Sequence, residues 1–191
     1  MSRTTAVTRL PSDRLAVSIC GVGGQGVVIA GVILGEAACG AGLWACQSAS
    51  YTVAARGGFA RSEVIVAPEP EACPLAEELD LVVGLDDTGW IRERARLRAG
   101  GLAICDEGLD PARGEYRRLD LPLGRLAAEA GGAKSANLVA LGALAAITGL
   151  VDQPILAAAV CRHLGDGESS RRALAAGFAA GAAAGADGQS G

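Results

Sequence analysis

The stretch from Leu15 to Gly35, LAVSICGVGGQGVVIAGVILG, constrains the fold more than any other part of this chain. It has the pattern of a buried strand, a glycine turn and a helix, with Gly21, Gly23 and Gly26 at G-x-G-x-x-G spacing. In such a turn, the backbone N–H groups and the positive end of the helix dipole form a site for an anion such as phosphate. The same spacing also fits a tight strand–helix turn that binds nothing.

The rest of the chain alternates between strand and helix patterns and becomes helical towards its end. After the strand over residues 15–20, further strands are predicted over residues 43–48, 61–67, 79–85, 102–105 and 116–121. Helices are predicted over residues 27–38, 90–97, 123–129, 137–148, 153–164 and 169–178. This order predicts an α/β fold with an open Rossmann-like, mostly parallel sheet, helices on both faces and a helical C-terminal portion.

Length and local composition predict one domain with two short appendages. A chain of 191 residues suits a single domain. Residues 14–181 are predicted to form it. The polar residues 1–13 are predicted to be a flexible arm, and the Ala- and Gly-rich residues 182–191 a disordered tail.

Composition argues against several classes of protein. The formal net charge of −4 argues against binding to nucleic acid or to an anionic membrane. No uncharged apolar run reaches the ~18–20 residues of a membrane span, and the first residues lack the apolar segment of a signal peptide, so a cytoplasmic location is expected. The apolar fraction of 50% is high for a protein that works alone, and it predicts a surface buried against partners.

The reactive and charged residues show no metal-binding pattern. Six scattered cysteines without a C-x-x-C pair, and one histidine, predict reduced and mostly buried thiols. Cys20 and Cys46 near the glycine turn are interpreted as small apolar residues, and His163 as a solvated surface residue. The arginines from Arg92 to Arg98 are interpreted as a solvated helix face, with docking of an acidic partner as the alternative.

The residues after the second predicted strand bear on which nucleotide the turn binds. NAD-binding domains place an acidic residue about 20 residues after the turn, on the ribose hydroxyls, and Trp44 to Ser48 contains none. Ser50 and Arg56 instead suit an extra phosphate, as in NADP or a 3′-phosphorylated nucleotide such as coenzyme A. A P-loop is excluded, because no G-K-[ST] follows the turn. An NADP-dependent dehydrogenase and a nucleotide-binding module without chemistry both stay open.

Five segments form a more specific pattern than the glycine turn alone. They are GVGGQGVVIAGVILGEAA, SYTVAARGGFARSEVIV, LDLVVGLDDTGW, GGLAICDEGL and KSANLVALGALAAITGL. In order and spacing, over Leu15 to Gly181, they resemble the gamma subunit of the 2-oxoacid:ferredoxin oxidoreductases. The SY…RGG and EVIV runs are most similar to the 2-oxoglutarate branch of that family.

The resemblance implies a multi-subunit enzyme that decarboxylates a 2-oxoacid, here 2-oxoglutarate, transfers the acyl group to coenzyme A and reduces ferredoxin. Thiamine diphosphate, Mg²⁺ and iron–sulfur clusters would be held by partner subunits, namely alpha and beta, with a delta subunit left open. This chain would help to bind coenzyme A and would be inactive alone. The alternatives are a subunit of a pyruvate, indolepyruvate or other aryl or branched 2-oxoacid oxidoreductase, or a stand-alone acyl-CoA-binding module.

The resemblance also implies which residues contact coenzyme A, and it implies no catalytic or metal-binding residue in this chain. The loop under the phosphates would be Gly23, Gly24, Gln25, Gly26 and Val27. A second contact would come from Arg56, Gly57 and Gly58, and a further polar contact from Asn137.

Each polar residue of this set also has a purely structural interpretation. Arg56 could equally pair with a carboxylate across a subunit interface, and Asn137 could bond to backbone at the start of its helix. Gln25 could bond locally, and Tyr51 fits a core, an interface or a site. Ser170 stands where the family often has a further asparagine, so a fourth contact is not expected there.

Overall fold

The structure, a computed structural model, describes residues 14–52, 58–71, 76–112, 114–132 and 134–187. These residues form an α/β domain whose elements are, in chain order, β1 (Leu15–Val22), α1 (Val27–Gly40), β2 (Trp44–Tyr51), β3 (Phe59–Ala67), β4 (Leu79–Gly84), α2 (Asp87–Glu93), a 3₁₀ turn (Arg94–Arg96), β5 (Leu97–Asp106), β6 (Arg117–Leu121), α3 (Leu123–Glu129), α4 (Ala136–Thr148), α5 (Gln153–Leu164) and α6 (Glu168–Asp187).

The strands form one open sheet in the order β2-β3-β1-β4-β5-β6. The pairs β1–β4, β4–β5 and β5–β6 are parallel, and β3 is antiparallel to both of its neighbours, β1 and β2. The predicted mostly parallel α/β sheet is therefore confirmed. β3 separates β1 from β2 because β3 is buried along nearly its whole length, whereas β2 is half-buried or exposed and suits the sheet edge.

Helices lie on both faces of the sheet, as predicted, but they cover the two faces unequally. α1 and α3 to α6 pack on one face, where alternate residues of β1 such as Val17 and Ile19 join the main core. On the other face, α2 buries Trp90 fully against a smaller cluster that includes Ala16 and Cys20. The glycine turn at the end of β1 therefore lies between the sheet face covered by α1 and α3 to α6 and the face covered by α2.

Helices α4 and α6 pack backbone against backbone through glycines. A Cβ at Gly181 would lie 2.6 Å from the Ala143 carbonyl oxygen, and a Cβ at Gly177 would collide with that of Val139. In the other direction, a Cβ at Gly142 would collide with the Leu174 carbonyl oxygen. Glycine is required where backbones approach this closely.

This packing explains why α6 is longer than predicted. The sequence pattern ends the helix at residue 178 and begins a disordered tail at residue 182, but α6 continues to Asp187. The stretch that reads as a flexible tail continues the helix instead: Gly185 is buried, and Ala184 packs against the main core with its carbonyl oxygen 3.5 Å from Arg117 Nη2. The arm over residues 1–13 and residues 188–191 lie outside the described residues.

We predict that Gly177→Ala lowers the free energy of unfolding by about 1–3 kcal/mol, because the new methyl has no space beside Val139. This is the net loss: the strain from the added methyl outweighs the ~1 kcal/mol that alanine gains over glycine inside a helix. Gly35→Ala is the control, because Gly35 lies inside α1 and a Cβ there would lie 3.9 Å from the nearest described atoms. Urea denaturation of the full chain measures both, and equal stability of the two variants would contradict the close packing of α4 and α6.

The arginine-rich segment is not the solvated helix face that its sequence predicts. α2 begins at Asp87, capped by the Asp86 side chain, and ends at Glu93, and β5 begins at Leu97 instead of Leu102. Arg92 is exposed and lies over the Phe59 ring, 4.8 Å from its centroid, whereas the other three arginines pair with carboxylates of the chain. Arg94 pairs with Asp110, Arg96 with Glu63 and Glu93, and Arg98 with Asp80. Their charge is largely neutralised within the chain, which weakens the interpretation as a docking site for an acidic partner.

His163 also has a closer environment than predicted. Its Nε2 and the Arg162 guanidinium both contact the Glu36 carboxylate, which links α5 to α1. These two partners hold the pKa of Glu36 below its usual range, with Arg162 the larger cause. His163 is therefore exposed at the surface, as predicted, and it also takes part in a contact between α5 and α1. Among the described helices, none is both long and apolar enough to cross a membrane.

Candidate functional site

The glycine turn joins β1 to α1 through two glycines in left-handed conformation. Gly24 has φ of 92° and Gly26, the N-cap of α1, has φ of 70°, conformations that favour glycine. The first helical bond runs from Ala30 N–H to the Gly26 carbonyl oxygen, 3.0 Å away. The N–H groups of Val27, Val28 and Ile29 are therefore outside the helical hydrogen-bonding pattern, and no side chain caps them.

Gln25 fixes the shape of this turn with its own side chain. Its Oε1 accepts a hydrogen bond from Val22 N–H at 2.8 Å, and its Nε2 donates to the Leu85 carbonyl oxygen at 3.1 Å. Gly21 is needed beneath it, because a Cβ there would collide with Gln25 Oε1. The local interpretation of Gln25 is therefore the geometry observed, and the side chain points away from any ligand above the turn.

The crevice that usually binds nucleotides in doubly wound sheets is closed in this chain. That crevice lies where neighbouring parallel strands send their helices to opposite faces, here between β1 and β4. Gln25 bridges it, and Gly89 of α2 packs so close that a Cβ would lie 2.8 Å from the Cys20 carbonyl carbon. A dinucleotide lying across this point has no space.

An open cleft of about 580 Å³ lies on the opposite side of β1, between the glycine turn and the ends of β2 and β3. The turn is tied to this side by a hydrogen bond of 2.9 Å from Gly23 N–H to the Gly58 carbonyl oxygen. The cleft is lined by Val22, Gly23, Gly24, Gly26, Val27, Val28, Ile29, Tyr51, Thr52, Gly58 and Ala60. Its lining combines backbone N–H groups at one end with apolar side chains.

Asn137 brings a second helix N-terminus to the turn. Its side chain is 4% exposed, and its Nδ2 donates to the Gly26 carbonyl oxygen at 3.1 Å while its Oδ1 accepts from Leu138 N–H at 3.0 Å. A Cβ at Gly26 would lie 2.5 Å from Asn137 Nδ2, so the contact requires glycine. The N-termini of α1 and α4 therefore meet at the turn, and the positive ends of two dipoles face the same region.

The structure brings together most of the residues predicted for the site. Gly23, Gly24, Gly26, Val27 and Gly58 line the cleft. Gln25 and Asn137 lie behind the turn and hold it, and Arg56 and Gly57 lie outside the described residues. The prediction missed the apolar part of the lining, such as Val28 and Ile29, and it left Tyr51 open between a core, an interface and a site. The alternation of side chains along β2 could have indicated that Tyr51 lies at the site. Tyr51 pairs with Ala60 of β3, and both residues line the cleft.

Of the described cysteines, the two buried ones, Cys20 and Cys105, have unreactive thiols. Burial raises the pKa of Cys20 well above its ordinary value, with the Glu93 carboxylate adding to the effect. Burial also raises the pKa of Cys105 to about 12. Both thiols are therefore protonated at neutral pH and are poor nucleophiles.

The prediction of mostly buried thiols holds for only two of the described cysteines. Cys20 and Cys105 are buried, whereas Cys46 is half-buried and Cys39 and Cys161 are exposed on α1 and α5. Cys73 lies outside the described residues. Within the described ranges, no group of three or more His, Cys, Asp or Glu side chains could hold a metal ion.

Fold and site together define an α/β domain that presents backbone N–H groups to a cleft away from the dinucleotide crevice. Residues 16–180 match the family model described as pyruvate ferredoxin/flavodoxin oxidoreductase. The chain belongs to this family of oxidoreductases, which confirms the family predicted from its five sequence segments.

Curated relatives carry the names of enzyme subunits. The chain is 32% identical to 2-oxoglutarate synthase subunit KorC of Methanocaldococcus jannaschii, over 85% of this chain and 90% of the relative. It is 36% identical to subunit KorC of Methanothermobacter thermautotrophicus, over 72% of this chain and 78% of the relative. Ketoisovalerate oxidoreductase subunit VorA of the same organism is 30% identical over 72% of this chain, which is 29% of VorA.

Solved structures share the fold. The gamma subunit of a keto/oxoacid ferredoxin oxidoreductase from Geobacter sulfurreducens has a TM-score of 0.79 at 32% identity, covering 90% of this chain and 98% of that one. The 2-oxoglutarate:ferredoxin oxidoreductase from Magnetococcus marinus, with 2-oxoglutarate, coenzyme A and succinyl-CoA bound, also has a TM-score of 0.79, at 22% identity. The match covers 91% of this chain and 32% of that one, and it shows the fold alone.

We predict that Gln25→Glu destabilises the chain by about 1–3 kcal/mol, because a carboxylate cannot donate to the Leu85 carbonyl oxygen. Gln153→Glu is the control, since this exposed residue begins α5 and a negative charge is favourable there. Urea denaturation of the full chain compares the two changes. A Gln25→Glu variant as stable as Gln153→Glu would contradict the structural role of Gln25.

Proposed function

We propose that this chain is the gamma-type subunit of a multi-subunit 2-oxoacid:ferredoxin oxidoreductase, and that it holds the phosphates of coenzyme A in its cleft. The enzyme would convert 2-oxoglutarate, coenzyme A and oxidised ferredoxin to succinyl-CoA, CO₂ and reduced ferredoxin. The observation that carries the proposal is the cleft itself, where the glycine turn and the N-terminus of α1 face open space. The choice of 2-oxoglutarate rests on the KorC relatives, which match over most of their length.

The residues of the cleft fit the phosphates of coenzyme A. Among the described residues, the atom nearest to a Cβ at Gly23 would be the Gly58 carbonyl oxygen, at 3.9 Å. The packing of the chain thus leaves room at this glycine, as a ligand approaching the backbone requires. The N–H groups beyond Gly26, at the positive end of the α1 dipole, favour a negative charge there. In the sequence, Arg56 and Gly57 lie between β2 and β3. We propose that Arg56 either binds a phosphate of coenzyme A or contacts a neighbouring subunit.

The chain's own part in the reaction is to bind and orient. Among the described residues that line the cleft, Tyr51 is the one titratable side chain, and we assign no proton transfer to this chain. Holding the phosphates fixes the remote end of coenzyme A, so that its thiol is presented to the acyl group at lower entropic cost. Thiamine diphosphate, Mg²⁺ and the iron–sulfur clusters, which supply the decarboxylation and the electron transfer, are proposed to be held by the alpha and beta subunits and, where present, delta.

The relatives also support assembly with larger subunits. In VorA, the matching unit is under a third of a longer chain, as it is in the Magnetococcus enzyme. A unit that is fused to other domains in relatives is expected to dock on separate subunits here. A stand-alone acyl-CoA-binding module is the less favoured alternative, and the closed crevice between β1 and β4 disfavours an NADP-dependent dehydrogenase.

We predict that the pure chain shows no 2-oxoglutarate-dependent dye reduction. A tagged chain purified from its native cell should instead carry partners containing thiamine diphosphate, iron and acid-labile sulfide, and this complex should be active with coenzyme A. Chemical assays for the cofactors and peptide identification of the partners provide the measurement. Activity of the pure chain, or its recovery without partners, would contradict the assignment as a subunit.

We predict that Gly23→Ala raises the KM for coenzyme A of the assembled enzyme roughly tenfold, about 1.4 kcal/mol. The methyl group has room within the chain but keeps the phosphates from the backbone. Gly35→Ala is a matched control, because a Cβ in the middle of α1 has the same clearance of 3.9 Å, away from the cleft. Steady-state titration of intact complexes with coenzyme A measures the effect. An unchanged KM would show that the turn does not bind the phosphates.

A further inference from the structure

Tyr51 is exposed in a chain that otherwise shields its aromatic side chains. The sequence has two residues each of Trp, Tyr and Phe, and all six are described. Tyr51 is 71% exposed, whereas Trp90 and Phe59 are buried and the other three are half-buried. Within the described residues, no hydrogen bond of the Tyr51 hydroxyl is formed. The Tyr51 ring is therefore accessible to a ligand, and no hydrogen bond to a described residue holds it in place.

The position of Tyr51 ties this exposure to the cleft. It is the last residue of β2, and it pairs with Ala60 of β3, which also lines the cleft. Val28, which at 38% exposure is also an exposed large hydrophobic residue, belongs to the same lining. The cleft therefore has an apolar wall in addition to the N–H groups of the turn. A phosphate alone would contact the N–H groups and leave the apolar wall unused.

We infer that the apolar wall binds the purine base of coenzyme A and that Tyr51 is the residue whose ring stacks on it. The inference rests on the proposed function and deepens it, because it assigns the base as well as the phosphates to this chain. A base offers a flat apolar face that an aromatic ring covers well, and the phosphates attached to its ribose can reach donors beside the ring. Tyr51 would set specificity for a nucleotide-bearing thiol over a simpler one. It would not act in the chemistry.

The alternative is that Tyr51 contacts a partner subunit, and the two can be separated by the choice of acyl acceptor. Coenzyme A carries the base, whereas 4′-phosphopantetheine has the same thiol arm and a phosphate but lacks the adenosine part. Loss of a stacking residue should affect only the first acceptor. Loss of a subunit contact should affect assembly, or both acceptors alike.

The test uses the assembled enzyme with Tyr51→Leu and Tyr51→Phe. Leucine keeps an apolar side chain but removes the ring, and phenylalanine keeps the ring but removes the hydroxyl. We expect Tyr51→Leu to raise the KM for coenzyme A about tenfold, with kcat and the KM for 4′-phosphopantetheine unchanged. Tyr51→Phe should behave as wild type, and gel filtration checks that both complexes are intact.

The outcomes separate this inference from the proposed function. Equal changes for both acceptors, a loss of assembly, or no change in Tyr51→Leu would overturn the stacking role of Tyr51. If Gly23→Ala still raises the KM for coenzyme A in that case, the cleft binds phosphates and the base lies elsewhere. If neither Gly23→Ala nor Tyr51→Leu alters the use of coenzyme A, the proposed function of the cleft fails together with the inference.

Discussion

The hydrogen bond from Asn137 Nδ2 to the Gly26 carbonyl oxygen is the contact on which the shape of the site depends. It joins residues 111 positions apart and places the N-terminus of α4 against that of α1. Its geometry is set far from the turn, because α4 is buried along almost its whole length and is pressed against α6 through Gly142 and Gly177. The packing of the C-terminal helices thus determines where the second dipole points.

The position of β3 explains why this glycine turn differs from that of a dinucleotide-binding domain. With β3 between β1 and β2, the strand that would carry the ribose-binding acid is no longer beside the turn. At the same time Gln25 closes the crevice towards β4. The open space that remains lies towards the ends of β2 and β3, and a ligand there meets the turn from the opposite side. One glycine spacing therefore serves two different binding geometries.

Local patterns predicted the features that depend on neighbours in the sequence, and tertiary contacts decided the rest. The strand–turn–helix unit and helices α3, α4 and α5 follow from hydrophobic periodicity and glycines. The position of β3 between β1 and β2 does not follow from these patterns, because alternation in a strand does not show which strand it pairs with. The end of α6 was missed because Gly181 reads as a helix breaker unless its contact with α4 is known. The pairing of Arg96 with Glu63 and Glu93 also could not be predicted from the neighbouring sequence.

A cleft with backbone donors, an apolar wall and few titratable groups suits a subunit whose work is binding. Coenzyme A has its phosphates and base at one end and its reacting thiol at the other, separated by the flexible pantetheine arm. Contacts at the remote end can be formed before the thiol reacts, and their free energy can then be used to position it. In the proposed function, backbone N–H groups held by Gln25 and Asn137 would do this without reorganising, since the turn and the start of α1 would not have to move to meet the charge. This division would place recognition in one chain and leave redox chemistry to its partners.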